Sequence, residues 1–408
     1  MRAKFIIAVL CACAGVSVGA SAQELSRVGS GDMPTVRDRF EGLGLRAGQF
    51  WVLPDIETGY FYDSNVFGES TGADADSGVY VSPSVSMRSD FGRHQLNLRA
   101  GLDHYEYFDF SSQSRTDFDG ELDALFEVSS DTVLKGGLKG GQFHQEPGDF
   151  EYPVLGSPTS PGTYYGFDTW GSIEHTFNRL TVSVGVAFDW FKYDAVDATP
   201  QSFRDGNIVT TGGRMSYLVS PGYRIFGDFR YNWREYDETI IAGSDGWRAL
   251  AGVEFEVTRL VSGELGIGYT EQTYDLAGSP TISAVSYHGA LIWNPTPLMT
   301  VRLDADRTIE DSTYIGSTGR IQDAVKLGVD YEILRELVFS PSVGFAFNDY
   351  DTTSRDDFRI EAGAELEYRV NRFMSVGSRY KYSYSDITGP GLTDWDRHLV
   401  GVYAKARF

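Results

Sequence analysis

The stretch "FRIEAGAELEYRV" at residues 358–370 decides the fold. Phe358, Ile360, Ala362, Ala364, Leu366, Tyr368 and Val370 share one parity. Arg359, Glu361, Gly363, Glu365, Glu367 and Arg369 share the other. A helix would scatter these two sets around its axis, whereas a strand puts them on opposite faces. One face is apolar and the other charged, so the strand separates two media.

The pattern recurs in "YRIFGDFRYNWREY" at 223–236 and "AVKLGVDYEI" at 324–333. Eighteen such segments occur, near 50–61, 77–89, 92–108, 114–129, 131–145, 163–177, 178–192, 204–219, 221–236, 243–258, 259–274, 280–294, 296–310, 319–334, 335–349, 355–370, 371–385 and 394–408. Connections between them alternate. "SSD" at 129–131, "SPG" at 220–222 and "NPT" at 294–296 are short, while "DSNVFGESTGADADSG" and "EPGDFEYPVLGSPTSPG" are long and rich in Gly, Pro, Asp and Ser. Outer-membrane barrels show this asymmetry, with tight periplasmic turns and long outer loops. A lipid-facing sheet has no water for its edge groups, so it closes on itself. Sandwiches and propellers bury one face in an aliphatic core. Here the apolar face is aromatic-rich and the opposite face carries charge. The sequence therefore predicts an all-β fold, a single transmembrane antiparallel β-barrel of about 18 strands over 49–408. An even strand count puts both ends of the barrel on the short-turn side.

The final residues, "HLVGVYAKARF" at 398–408, obey the same rule to the last position. Val400, Val402, Ala404, Ala406 and Phe408 are expected to face lipid, and Tyr403, Lys405 and Arg407 the lumen. A terminal Phe on such a strand resembles the signal read by the outer-membrane assembly machinery, which makes that machinery an expected partner. As a plain alternative, Phe408 is an interfacial aromatic.

At the other end, Arg2 and Lys4 precede the apolar run "FIIAVLCACAGVSVG", and "ASA" ends at Ala22. This reads as a signal peptide over 1–22, followed by a short periplasmic lead over 23–48. Cleavage after Ala22 would remove Cys11 and Cys13, the two cysteines of the chain, and with them any disulfide or Cys-ligated metal. The formal charge of −22 argues against a nucleic-acid surface, which needs clustered Lys and Arg.

"GLGLRAGQFWVLPDIETGYFYDSNVF" at 42–67 resembles the start of the alphaproteobacterial "putative β-barrel porin 2" family. The matching residues are Arg46, Gly48, Phe50 and Pro54, then Tyr62, Asp63, Asn65, Val66 and Phe67. The resemblance implies a porin-like outer-membrane barrel. Some members are encoded near exopolysaccharide synthesis and export genes, which implies polysaccharide export components as partners. Read physically, Asp63 and Asn65 bond local backbone and turn the chain, while Tyr60, Phe61 and Tyr62 are expected at the outer interface.

Six histidines (His94, His104, His144, His175, His288, His398) show no HExxH spacing, and the strand register forces no Ser–His pair together. No enzyme, cofactor or metal site is expected. Asp74 and Asp76 in "GADADSG" read as a solvated acidic loop, since the later Glu of a calcium loop is missing.

The candidate functional residues lie on the polar face. Asp117, Asp119, Glu121, Asp123 and Glu127 form an acidic row opposite Phe118, Leu122 and Phe126. Charge facing lipid costs on the order of a few kcal/mol, so the row is expected to line water. Arg224, Arg230 and Arg234 form one basic column, and Arg379, Lys381, Arg397, Lys405 and Arg407 another. Columns of opposite sign in different sectors would set a transverse field across a polar channel. Cross-strand pairing would neutralise the wall locally, which is compatible with a channel. The expected function is passage of a hydrophilic solute or polymer, exopolysaccharide among them, with a non-transporting anchor as the rival. The barrel's surroundings are then the lipid bilayer and lipopolysaccharide.

Overall fold

The computed structural model describes Val36 and residues 43–149, 160–276, 278, 281–314, 316–389 and 394–408. The expected signal peptide, with Cys11, Cys13 and Ala22, lies outside the described residues.

Nineteen strands follow one another: β1 Leu45–Ala47, β2 Phe50–Asp63, β3 Asp76–Ser89, β4 Gln95–Tyr107, β5 Arg115–Glu127, β6 Thr132–Gln145, β7 Gly162–Phe177, β8 Leu180–Tyr193, β9 Gly206–Ser220, β10 Tyr223–Tyr236, β11 Ser244–Val257, β12 Val261–Tyr274, β13 Ile282–Thr296, β14 Met299–Asp311, β15 Gly319–Leu334, β16 Leu337–Tyr350, β17 Asp356–Arg369, β18 Met374–Thr388 and β19 Trp395–Arg407. β1 is a short antiparallel partner of the start of β2. The other eighteen form the wall, each antiparallel to its sequence neighbour. β19 returns to β2 through nine pairs, Leu399↔Asp63 to Arg407↔Asp55, which closes the barrel.

Period two decides what each strand shows to each side. On β5, Phe118 and Phe126 are exposed on the outside, and Asp117, Asp119, Glu121 and Asp123 alternate with that face. On β19, Val400 and Val402 point outward while Tyr403 is buried inside. The connections that start at 90, 128, 178, 221, 258, 297, 335 and 370 are two to five residues long, and those at the opposite end five to sixteen. One turn departs from expectation: Asn294–Thr296 ends β13, and Pro297 and Leu298 make the turn. Ahead of the barrel, Val36 is buried against Val338, and its N–H donates to Thr300 Oγ1 at 3.2 Å.

A further correction concerns Phe61. Tyr60 and Tyr62 are exposed on the outside, but Phe61 has the other parity and is 2% exposed. It packs inside with Val66, Tyr80, Tyr107 and Tyr403. Three consecutive strand residues cannot share one face.

Candidate functional site

The inner wall combines paired and open charge. In the acidic row, Asp117 accepts from His144, and Asp119 pairs with Arg99 at 3.3 Å. Glu127 lies 3.7 Å from Arg93. Asp123 lies over Gly137, where a Cβ would come within 2.8 Å of its Oδ1 and 2.6 Å of Trp170 Nε1, so only glycine fits. Glu121 stands in register with Lys139.

The basic columns are not a free field, and here the pairing alternative describes the wall. Arg379 contacts Glu57 at 3.1 Å and Glu365 at 3.4 Å. Lys381 contacts Glu361 at 3.1 Å, Lys405 contacts Asp55 at 3.2 Å, and Arg407 contacts Glu367 at 2.8 Å. On β10, Arg230 pairs with Asp228 at 3.0 Å, Arg234 reaches Asp311 at 2.8 Å, and Arg224 stands opposite Glu254. The physical reason is proximity. Same-face neighbours on adjacent strands lie about 4.5–5.5 Å apart at Cβ, and the long Arg side chains reach acids on the same strand or beyond the next one. Opposite charges placed there meet before they act across the lumen.

A second network escaped the sequence reading. His288 lies 3.0 Å from Glu264 and 2.9 Å from Asp306. Arg214 binds Glu264 at 2.8 Å and Arg248 binds Asp306 at 3.0 Å. Alternation places each of these residues inside, but their mutual contact depends on the register between β9 and β14.

The loop after β6 turns inward. Glu146 Oε1 accepts from Arg115 at 2.8 Å, and its Oε2 accepts from Arg397 at 2.6 Å. Asp149 pairs with Arg359 at 3.3 Å. Gly148 rests on Trp395 and its carbonyl accepts from Arg359. Three wall strands therefore hold one loop across the outer mouth. Burial pushes the Glu146 carboxyl up, but Arg397 and Arg115 outweigh it and hold it well below the usual carboxylate range. At Asp149 burial prevails over Arg359, and that carboxyl is raised.

The 62–67 motif turns the chain as expected, since Asp63 accepts from Asn65 N at 3.1 Å and Asn65 Oδ1 from Glu69 N at 2.9 Å, and it is also a lock. Asp63 is fully buried and takes Arg397 Nε at 2.8 and 2.9 Å. Tyr107 also donates to it, and Asn65 donates to the carbonyls of Glu69 and Asp396. Val66 is buried in the inner aromatic cluster, and Phe67 packs against it. Nearby, Asp76 accepts from the N–H groups of Ser77, Asp109 and Phe110, so its carboxylate caps backbone. Phe408 donates to Pro54 O at 3.1 Å and accepts from Gly44 N at 3.0 Å.

A closed eighteen-stranded barrel with an apolar exterior and a charged interior is a Gram-negative outer-membrane barrel of porin type. The family model described as "Putative beta-barrel porin 2" matches residues 38–408, and the chain belongs to that family. Among curated protein sequences, none matches. Solved structures with similarity include OpdL of Pseudomonas aeruginosa, at 13% identity and TM-score 0.42 over 89% of this chain and 99% of that one. OccAB3 of Acinetobacter baumannii shows 12% and 0.44 over 88% and 99%. A point mutant of the ferric enterobactin receptor PfeA of Pseudomonas aeruginosa shows 9% and 0.43 over 87% and 80%. At such scores the likeness carries no argument about function.

Proposed function

We propose that this barrel is a channel for a hydrophilic solute or polymer, exported polysaccharide included, with the Glu146–Asp149 stretch after β6 at its outer constriction. One observation carries the reading. Lys139, Asp304 and Lys326 have inward parity, yet all three are exposed. Inward side chains stay accessible where the lumen holds water, and a barrel of this strand number is wide enough for that. The family description points the same way. A closed anchor is the second reading. It is favoured by the densely packed outer mouth, where Asp63, Gln145, Arg204, Asp357 and Arg397 are all buried. We also assign the β19 end, through Phe408, to recognition by the assembly machinery.

The test is conductance in planar bilayers. Asp119, Glu121 and Asp123 stand along the wall of the path, within a Debye length of about 8–10 Å of passing ions. A variant combining Asp119→Asn, Glu121→Gln and Asp123→Asn is expected to weaken cation preference, read as a shift in reversal potential under a salt gradient. The shift should shrink at high salt. Protein that inserts but passes no current, with or without residues 150–159, would end the channel reading in favour of the anchor.

A further inference from the structure

The ladder between β13 and β14 is incomplete. It runs from Thr296↔Met299 up to His288↔Asp306 and stops. Ile282–Tyr287 on β13 and Arg307–Asp311 on β14 remain strand, because β12 and β15 pair with them, but they do not pair with each other. Above this point the wall forks. An unpaired strand edge leaves backbone groups without their ladder partners.

Side-chain contacts show where β14 goes. Asp311 has the parity of Leu303 on the outer face. Its carboxylate nonetheless meets Arg234 at 2.8 Å and Tyr236 at 2.5 Å, both inward-facing residues of β10. Ile309, of the same parity, is 4% exposed and packs against Tyr274 and Ile282, which face inward from β12 and β13. Gly319 at the start of β15 lies where a Cβ would be 2.0 Å from Tyr274 Oη, so the hairpin end fits there as glycine only. The outer face of upper β14 thus lies on the inner face of β10–β13, tucked into the outer mouth.

Three polar groups cover for the missing ladder. Arg234 Nη2 donates to Ile309 O at 2.9 Å, Arg248 Nη2 to Tyr287 O at 3.0 Å, and Ser286 Oγ to Arg307 O at 2.8 Å. At the base of the fork, Asp323 takes Arg307 at 2.5 and 2.7 Å and the Tyr287 hydroxyl at 2.6 Å, joining β13, β14 and β15.

The unused edges remain complementary. Continued in the existing register, Tyr287, Ser286, Val285, Ala284 and Ser283 would face Arg307, Thr308, Ile309, Glu310 and Asp311. Val285 and Ile309 would then meet on the outer face, and Ser286 and Thr308 in the lumen. The pattern satisfies a zipped wall as well as the tucked one.

We infer that the outer half of β14, with residues 312–314 and the start of β15, is a hinged gate with two positions. Tucked, it occupies the outer mouth and leaves the fork. Zipped, it completes the β13–β14 ladder and clears the mouth. That it controls flow rests on the channel reading; that it has two positions does not.

Two cysteine pairs decide this, and both native cysteines lie within the segment expected to be cleaved. The pair I282C/I309C reports the tucked position, where those side chains pack together. The pair V285C/I309C reports the zipped one, since a disulfide needs Cα atoms about 4.4–6.8 Å apart and the wall of β13 separates the two positions in the tucked state. Both pairs are expected to crosslink under mild oxidant in membranes, read by gel mobility. D311N, which loosens the hold of Arg234 and Tyr236, should speed V285C/I309C several-fold. In bilayers the zipped disulfide should raise conductance and the tucked one lower it, each reversed by reductant. If V285C/I309C never forms, even with D311N, or I282C/I309C never forms, the two-position gate is wrong. Crosslinks that leave a measurable current unchanged remove its role in flow. If no variant conducts, the channel reading fails, while the crosslinks still decide the hinge.

Discussion

The barrel has two seams that differ in how they are held. Where β19 meets β2 the chain closes on itself, and the nine-pair ladder is reinforced at both ends. Arg397 grips Asp63 at the outer end, and Phe408 bonds Pro54 and Gly44 at the inner end. Where β13 meets β14 the strands are joined by a two-residue turn, yet only seven pairs form and the outer half separates. Sequence distance predicts the opposite, since a hairpin closes at low entropic cost and the terminal strands must find each other across the whole chain. The difference shows that buried charge specifies the closing seam, while at the fork side-chain bonds stand in for the ladder.

Breaking each seam at its key ion pair should separate them. Arg397→Ala leaves the fully buried Asp63 carboxylate without its cationic partner. Removing one member of a buried pair costs about 3–5 kcal/mol. The expected outcome is a large drop in folded, heat-modifiable barrel in membranes. Asp323→Asn acts at the fork and removes one charge from a partly exposed pair, a loss of about 1.5–3 kcal/mol. It should leave the barrel assembled and lower its urea midpoint only modestly. Equal damage from the two variants would show that the seams are equivalent.

Deleting Phe408 sharpens the same contrast from the inner end. It removes two backbone hydrogen bonds at the closing seam, each worth about 0.5–1.5 kcal/mol, and the expected assembly signal. Folded protein should fall in cells and, less so, in refolding with lipid vesicles. A loss confined to cells would assign Phe408 to recognition, and an equal loss in both would make it a seam residue only.

Alternation made the wall legible in the sequence because lipid and water impose it residue by residue. The same rule places Phe61 inside between Tyr60 and Tyr62, and the expectation that all three sit at the outer interface overlooked it. The charged columns were legible as inward-facing, but their partners depend on register. Register is a relation between strands that no single segment carries. The fork was illegible for a sharper reason. Arg307–Asp311 alternates as a regular strand, and its pattern fits the zipped wall, so nothing local marks the tuck. Asp63 shared the parity of Asp55 and Glu57, which marked it as inward. Its partner Arg397 lies at the far end of the chain.

The smallest effect concerns the loop that bridges the closing seam to the rest of the mouth. Glu146 joins Arg397 of β19 to Arg115 of β5. Its carboxyl is held well below the usual range because the two guanidinium groups outweigh burial. A depressed carboxylate contributes stability that is present above its unfolded value of about 4.3 and is lost as pH falls through the lower folded value. Asp149, in the same loop, is shifted the other way, so its protonation favours the folded position as pH falls toward the carboxylate range. The loop should therefore keep its place from neutral pH down to about pH 4 and come free only in stronger acid. Protease cleavage within 150–159 measures this. Wild-type protein should be cleaved at the same rate at pH 7 and pH 5. Glu146→Gln should be cleaved faster at both, and by the same factor, because its tether no longer titrates. Cleavage of the wild type that rises already between pH 7 and pH 5 would show that Glu146 does not hold the loop, and that the closing seam and the outer constriction are independent.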